Sequence, residues 1–441
     1  MSRRQQTKTP VVFETTIESL SPEGRGVARV DGKTTFIDGG LPGETVRARY
    51  QKRRKRHDEA EIVGVLSASS ERVQPRCPHF GVCGGCRLQH LDAGAQIVHK
   101  QSALMEQLQH IGNVEPAAER MPMTAPVWGY RHKARLGVKY VDKKEKVLVG
   151  FRERSSPFVA ELQRCEVLHP SVGELIEPLA ELIAGLTVYR QVPQIEVAIG
   201  DDMVALVLRH LVPMTAGDHE LLQQFERTHE VRFFLQPGGS DTIRPLNAAT
   251  PPLLTYELPK HELTFEFAPT DFTQINPAIN RSMVDAVLNW LQPQANDRIL
   301  DLFCGLGNFS LPLARQAGRV TGVEGDAALV ERAGANAARN GIDNTEFFTA
   351  DLAASDLDAA FMYRRYDKVM LDPPRSGAAE IIRQFNWNGV KRVAYVSCNP
   401  ATLARDAGEL VHTHGFQLVT AGVLDMFPHT AHVESLVLFQ R

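Results

Sequence analysis

No apolar run in the 441-residue sequence approaches the ~18 to 20 residues that a membrane-spanning helix needs. The opening stretch, MSRRQQTKTP, carries basic residues with no hydrophobic segment behind them. Neither membrane insertion nor secretion is expected, and the cytoplasm is the expected compartment. Cysteine is scarce as well: there are six, and three of them crowd into the ten residues from Cys77 to Cys86. That pattern excludes a disulfide framework and points to metal binding or catalysis in a reducing compartment. The chain also lacks an excess of either charge, with 49 Lys and Arg against 52 Asp and Glu. It has no internal repeat and no low-complexity tract.

The near-zero average hides two basic blocks. Residues 1–57 hold thirteen Lys and Arg against six Asp and Glu, and residues 120–155 hold ten against three. Asymmetry of this kind favours a polyanionic partner, although each block also reads as a solvated basic face. At 43% apolar residues the chain is able to bury real cores, and its length suggests about three domains. Between residues 11 and 66, five short β-rich runs (11–17, 27–30, 34–37, 45–50 and 59–66) are separated by glycine turns, which predicts a small barrel. The stretch EGRGVARVDGKTTFIDGGLPGETVRAR resembles the TRAM domain, an OB-like RNA-binding barrel. The run from Arg47 to His57, with seven Lys and Arg and no acid, suits the tracking of phosphates by such a barrel.

After a Ser-rich connector at 67–70 comes the cysteine cluster, and then one helix over 91–111 that ends at Gly112 and Asn113. Residues 130–265 alternate strand-like runs (133–140, 194–198, 203–208) with one helical stretch at 172–184, which predicts an antiparallel α+β middle domain. From about Phe272 onward helix and strand alternate strictly. The candidate strands, 298–303, 319–324, 345–349, 368–371, 392–397, 416–425 and 433–440, are continuously apolar, as in a doubly wound parallel sheet covered on both faces. The expected domains are 1–68, 69–268 and 269–441. The helix over 91–111, counted in the middle unit, is free to pack on the catalytic one.

Cys77-x5-Cys83-x2-Cys86 sets three thiols on one short loop, and Gly81, Gly84 and Gly85 let the backbone fold tightly around an inorganic centre. A fourth ligand must come from elsewhere, and Cys165 is the only other cysteine outside the C-terminal sheet domain. Zinc and a 4Fe-4S cluster both accept four thiolates. Zinc ribbons usually pair two Cys-x2-Cys knuckles, which this spacing does not provide.

RILDLFCGLGNFSLPLA reads as a buried strand, a turn at Gly305 and Gly307, and a helix, the first βα turn of a nucleotide-cofactor fold. Glu324, closing the second strand, is placed to bind both hydroxyls of a ribose. A dehydrogenase would use the same features, but Ser310 stands where the pyrophosphate fingerprint expects a third glycine. Asp351 follows the third strand, and LDPPR, residues 371–375, follows the fourth. In enzymes that bind S-adenosylmethionine, the first of these positions commonly meets the adenine and the second faces the reacting centre. Cys398, in SCNP after the fifth strand, puts a thiol at the carboxyl edge where α/β ligands bind. Uracil C5 is a poor nucleophile, and addition of a thiolate to C6 generates an enolate able to attack a methyl sulfonium. The C5 proton must then leave, which requires a base, and Glu434 begins the last strand just after His429 and His432. Cys304 has no base in view and is assigned to packing. The two histidines are left out of the site as exposed loop residues, the alternatives being contact with RNA phosphate or orientation of Glu434.

With the TRAM-like barrel, three-plus-one cysteines, FTQIN, DLFCGLGNF, LDPPR, SCNP and HVE in this order, nearly the whole chain resembles the RNA uracil-C5-methyltransferases. The likeness is to the TRAM-bearing, iron-sulfur subgroup that acts on a uridine of 23S ribosomal RNA. The resemblance implies that Cys398 is the nucleophile and Glu434 the proton acceptor. It implies that Gln274, Phe303, Asn308, Glu324, Asp351 and Asp372 line the S-adenosylmethionine site, and that Cys77, Cys83, Cys86 and Cys165 hold a 4Fe-4S cluster. It further implies a monomer that binds 23S rRNA and no membrane. The rivals are the same reaction on another rRNA uridine or on tRNA, and a non-catalytic RNA-binding assembly factor, against which the intact SCNP and HVE argue. A radical enzyme is disfavoured because its cysteines would be spaced Cys-x3-Cys-x2-Cys.

Overall fold

The computed structural model describes residues 11–248 and 252–441. The first ten residues, which belong to the first basic block and to the predicted domain 1–68, lie outside the described residues. Six strands form the N-terminal sheet, one more than the sequence predicts. Their spatial order is Val12–Thr16, Thr45–Arg53, His57–Ser67, Lys33–Asp38, Gly26–Val30 and Ser19–Leu20. Contact between the strands Val12–Thr16 and Gly26–Val30 curls the sheet toward a barrel. Inside it Ile17, Ala28, Ile37, Val46, Ala48 and Ala60 are buried, small or β-branched residues that suit so narrow a core. Glu44, wholly buried, accepts from the amides of Leu41 and Ser69 and from both Nε and a terminal nitrogen of Arg72. That carboxylate pins the barrel to the segment that carries the cysteines.

The middle domain is a six-stranded sheet in the order Arg244–Pro245, Arg232–Gln236, Val204–Arg209, Gln194–Ile199, Lys133–Val141 and Lys146–Gly150. It is antiparallel except for the pair Val204–Arg209 and Arg232–Gln236, which runs parallel and is bridged by the helix Ala216–His229. This helix escapes the sequence reading because only Leu222 and Phe225 bury apolar side chains along it. Its start is nevertheless marked, since Thr215 and Asp218 form a capping box.

The C-terminal sheet has eight strands, ordered Thr345–Thr349, Arg319–Glu324, Arg298–Leu302, Lys368–Leu371, Arg392–Ser397, Glu434–Gln440, Gln417–Leu424 and Ala118–Glu119. The first five are mutually parallel, as expected. Glu434–Gln440 instead runs antiparallel to both its neighbours. The segment joining it to Gln417–Leu424 is too short for the helical crossover that a parallel strand requires, so the chain returns as a hairpin. The helix Ala93–Gln107, extended by a π-helical turn at Leu108–Gly112, packs on this sheet beside the helix Pro400–His412. Leu104 and Leu108 share a core with Tyr395, Leu403 and Ala404. At the crossing a Cβ on Gly112 would stand 2.4 Å from the carbonyl oxygen of Ala404, so the close approach requires glycine there.

Candidate active site and cysteine cavity

The parallel strands deliver their carboxyl ends to one edge of the sheet, and most of the predicted site residues stand on it. After Arg298–Leu302 the chain turns sharply, with Phe303, Gly305 and Gly307 at φ of 64°, 55° and 96°. Glycine relieves the left-handed strain at two of these positions. The amide of Gly305 donates to Glu324 Oε2 at 3.1 Å, while the amides of Gly325 and Asp326 donate to Oε1 at 2.8 and 3.2 Å. Glu324 therefore fastens the turn to the end of the second strand. Its carboxylate keeps further lone pairs for a ligand hydroxyl.

Asn308 is turned toward two residues that the sequence did not reveal. Its Oδ1 accepts from the Tyr256 hydroxyl and from Asn280 Nδ2, each at 3.0 Å, and its Nδ2 donates to Asn280 Oδ1 at 2.9 Å. A third missed residue is Asp301, which is wholly buried under the turn. The Ser310 hydroxyl donates to its Oδ2 at 2.5 Å, while Oδ1 has no protein partner. Burial pushes Asp301 up to about 7 against the pull of that hydrogen bond. Ser310 thus serves the acid beneath the turn, at the position where a dinucleotide site would carry glycine. Asp372 sits at the end of the fourth strand with Gln274 Nε2 3.5 Å from its Oδ2. It is pushed up to about 8 by burial and then by the charges of Asp301 and Glu324. Phe303 is half-buried against the core below. Asp351 lies exposed at the outermost of these strand ends, accepting from the amide of Ala353. With Glu324 acting on Asp301, and both acting on Asp372, the edge carries a negative field suited to a cationic ligand.

Cys398 follows the strand Arg392–Ser397 directly and precedes Asn399, whose side chain caps the helix Pro400–His412. Ser397 pairs with Ser435 in the antiparallel register, so the next step along each strand brings Cys398 and Glu434 to the same end of the ladder. Glu434 is 4% exposed. Burial, and then the charge of Asp372, raise it well above the usual carboxylate range despite Arg375. The half-buried Cys398 thiol is raised by burial and then by Glu434, with Arg375 opposing. Arg375 is anchored by its carbonyl, which accepts from Asn399 Nδ2 and Thr402 Oγ1, and its guanidinium meets His432 Nδ1 at 2.9 Å. The sequence placed LDPPR at the reacting centre, but it did not single out Arg375 as the charge that acts on this pair.

Two minor expectations have different outcomes. Cys304 is buried in packing, with its Sγ 3.0 Å from where a Cβ on Gly322 would lie. His429, expected to be an exposed loop residue, is 3% exposed. It stacks on Trp128 at 3.9 Å, and its backbone is gripped on both sides, which single-sequence reading of a polar loop does not show.

The four cysteines predicted as ligands line one small pocket, walled by Phe80, Phe151, Leu162 and Val167. None is in a disulfide. Burial pushes the Cys86 thiol up to about 12 and that of Cys165 up to about 11. Backbone amides face the sulfurs, such as that of Gly85, which lies 3.4 Å from Cys83 Sγ. Among the described residues no three ligand-type side chains converge on the position of a single metal ion.

Residues 255–441 match the tRNA (Uracil-5-)-methyltransferase family, and residues 11–63 match the TRAM domain. The 23S rRNA (uracil(1939)-C(5))-methyltransferase RlmD of Alkalilimnicola ehrlichii is 54% identical over 441 residues, covering 100% of this chain and 99% of that protein. The protein of the same name from Methylococcus capsulatus is 51% identical over 426 residues, covering 96% of each. Among solved structures, the Pyrococcus abyssi tRNA (uracil-54, C5)-methyltransferase in complex with S-adenosyl-L-homocysteine shares the fold, with a TM-score of 0.74. It is 22% identical and covers 97% of this chain and 99% of its own.

Proposed function

Because the chain belongs to the family of 23S rRNA (uracil-C5)-methyltransferases, we propose that Cys398 and Glu434 are its nucleophile and base. It methylates C5 of a uridine in 23S rRNA with S-adenosylmethionine as donor, and the target is the uridine that gives its relatives their name. The observation that carries the assignment of roles is the meeting of a thiol and a buried carboxyl at one strand end, near Asp372. Cys398 adds to C6, and the electron pair of the C5–C6 double bond is displaced toward C5 and O4. C5 then takes the methyl group, and the sulfonium leaves as a neutral thioether. Glu434 accepts the C5 proton, the double bond reforms, and the Cys398 thiolate departs. Burial makes Glu434 a stronger proton acceptor, once ionised, than an exposed carboxylate. Extrusion of the uridine from its stack costs a few kcal/mol.

Gln274, Phe303, Asn308, Glu324, Asp351 and Asp372 line the donor site in this reading. Glu324 takes the ribose, Asp351 the adenine side, and Gln274 with Asp372 the reacting end. Asn308 acts mainly by holding the turn through Tyr256 and Asn280. Cys77, Cys83, Cys86 and Cys165, which line one pocket, hold a 4Fe-4S cluster in this reading, in keeping with their three-plus-one spacing. When bound, that group supplies a covalent tie between the loop 77–86 and the middle domain. The domains are 1–68, 69–268 and 269–441, and the protein works as a cytoplasmic monomer.

The test is transfer of label from S-adenosylmethionine to unmodified 23S rRNA and to unmodified tRNA, followed by nucleoside mass spectrometry. 5-Methyluridine in the rRNA alone is expected; methylation of tRNA would overturn the substrate, and methylation of neither would favour a binding factor. Cys398→Ala is expected to abolish turnover while leaving donor binding intact. Glu434→Gln is expected to accumulate a covalent protein–RNA species.

A further inference from the structure

Residues 425–433, the loop that ends at Glu434, are held by parts of the chain that belong to the cysteine cavity. The amides of Arg87 and Leu88, the two residues after Cys86, both donate to the carbonyl oxygen of His429, at 2.8 and 3.0 Å. Tyr130, which packs against Cys86 and Val167, donates its hydroxyl to the carbonyl oxygen of Pro428 at 3.0 Å. A second route runs through side chains. Glu166, next to Cys165, holds Arg76 at 3.2 Å, Arg76 lies over the ring of Trp128, and Trp128 stacks on His429. From the other side Gln96 accepts from the His429 amide at 2.9 Å and meets its Nδ1 at 3.2 Å. His429 is also left-handed, at φ 65°. A residue other than glycine persists in that conformation when its surroundings over-determine it.

We propose that His429 is a positioning residue through which the cysteine loop sets the catalytic carboxylate. An intact cysteine cavity fixes the loop 425–433, and that loop fixes where Glu434 stands relative to Cys398. The inference rests on the reading of Glu434 as the base. Loosening the grip slows removal of the C5 proton and leaves donor binding and thiolate addition as they were.

The experiment uses the full chain with His429→Asn, which tolerates a left-handed backbone but loses the stack, and the milder Tyr130→Phe. Each is assayed for turnover on 23S rRNA, for covalent protein–RNA species and for affinity for S-adenosylmethionine. Misplacement by a fraction of an ångström is expected to cost about tenfold in turnover. The covalent species should accumulate, and donor affinity should be unchanged. A purely structural role would lower turnover, adduct and donor binding together, and that result overturns the proposal. Glu434→Gln serves as the reference: if it traps no adduct, the reading of the base has failed and takes the inference with it. If it traps adduct while His429→Asn and Tyr130→Phe do not, the inference alone has failed. Cys165→Ser gives a readout independent of activity. Amide hydrogen exchange over 425–434 should quicken while the helix Pro277–Leu291 keeps its protection, and unchanged exchange over 425–434 overturns the link to the cysteines.

Discussion

Cys398 and Glu434 both stand where ionisation is costly, and this sets how the reaction depends on pH. In the proposed mechanism both groups must be deprotonated to act, and both are raised, the thiol by burial and by Glu434, the carboxyl by burial and by Asp372. A raised acid is charged only above its raised value, so activity falls as pH drops through that value. The acid limb of the kcat profile should therefore lie above the range of an ordinary carboxylate, and removing Asp372's charge with Asp372→Asn should move it to lower pH. An unmoved limb would place the controlling ionisation elsewhere. Residues such as these are legible because short motifs carry them: a cysteine in SCNP and a glutamate in HVE sit at strand ends whatever surrounds them. Asp301, Tyr256 and Asn280 were not legible, since their roles come from contacts across the fold. Tyr256→Phe removes one neutral hydrogen bond to Asn308, about 1 kcal/mol. Calorimetry should show affinity for S-adenosylmethionine weakened about fivefold, with the pH profile unmoved.

At the scale of elements, the helix Ala93–Gln107 shows what a linear reading assigns poorly. Its existence and its end at Gly112 and Asn113 were plain from periodicity and from turn residues. Packing on the catalytic unit was anticipated, but the partner within it was not, because Gly408 and the helix around it lie some three hundred residues downstream. The same gap explains the last strand, whose antiparallel direction follows from the length of the preceding connection and not from its own apolar pattern. The helix is tied to the end of the strand Gln417–Leu424 by an ion pair with both side chains buried, Lys100 Nζ to Asp425 Oδ1 at 2.8 Å. Lys100 is lowered by burial despite Asp425, a sign that desolvation outweighs the attraction. Removing one partner leaves a buried charge, so Asp425→Ala should cost about 3 to 5 kcal/mol in denaturant unfolding. The double replacement Lys100→Met with Asp425→Leu should recover most of that loss. Equal destabilisation by the single and double variants would mean that the pair contributes net stability of its own.

For the whole molecule, the two basic blocks turn out to be unequal once folded. Within residues 120–155, Lys144 and Lys146 both meet Glu161, and Arg135 meets Glu196, acids that lie outside the block in sequence. A count along the chain overstates the field there. On the barrel, Arg47, Arg49, Arg53 and Arg54 are likewise matched by Glu14, Glu61, Asp58 and Glu59. Lys52, Lys55 and Arg56 are exposed around the turn between Thr45–Arg53 and His57–Ser67, and they enter none of the ion pairs seen among the described residues. These three are therefore the barrel's strongest contribution to a polyanion surface. Each phosphate neutralised contributes about 0.7 to 0.9 to the slope of log affinity against log salt. Replacing all three by Glu should weaken binding to 23S rRNA and flatten that slope by about two to three, if each cation meets one phosphate. Affinity for S-adenosylmethionine should be unchanged, because the donor site lies on a different domain. A variant with full affinity and an unaltered slope would move the RNA surface off the barrel turn and onto the cations of the middle domain.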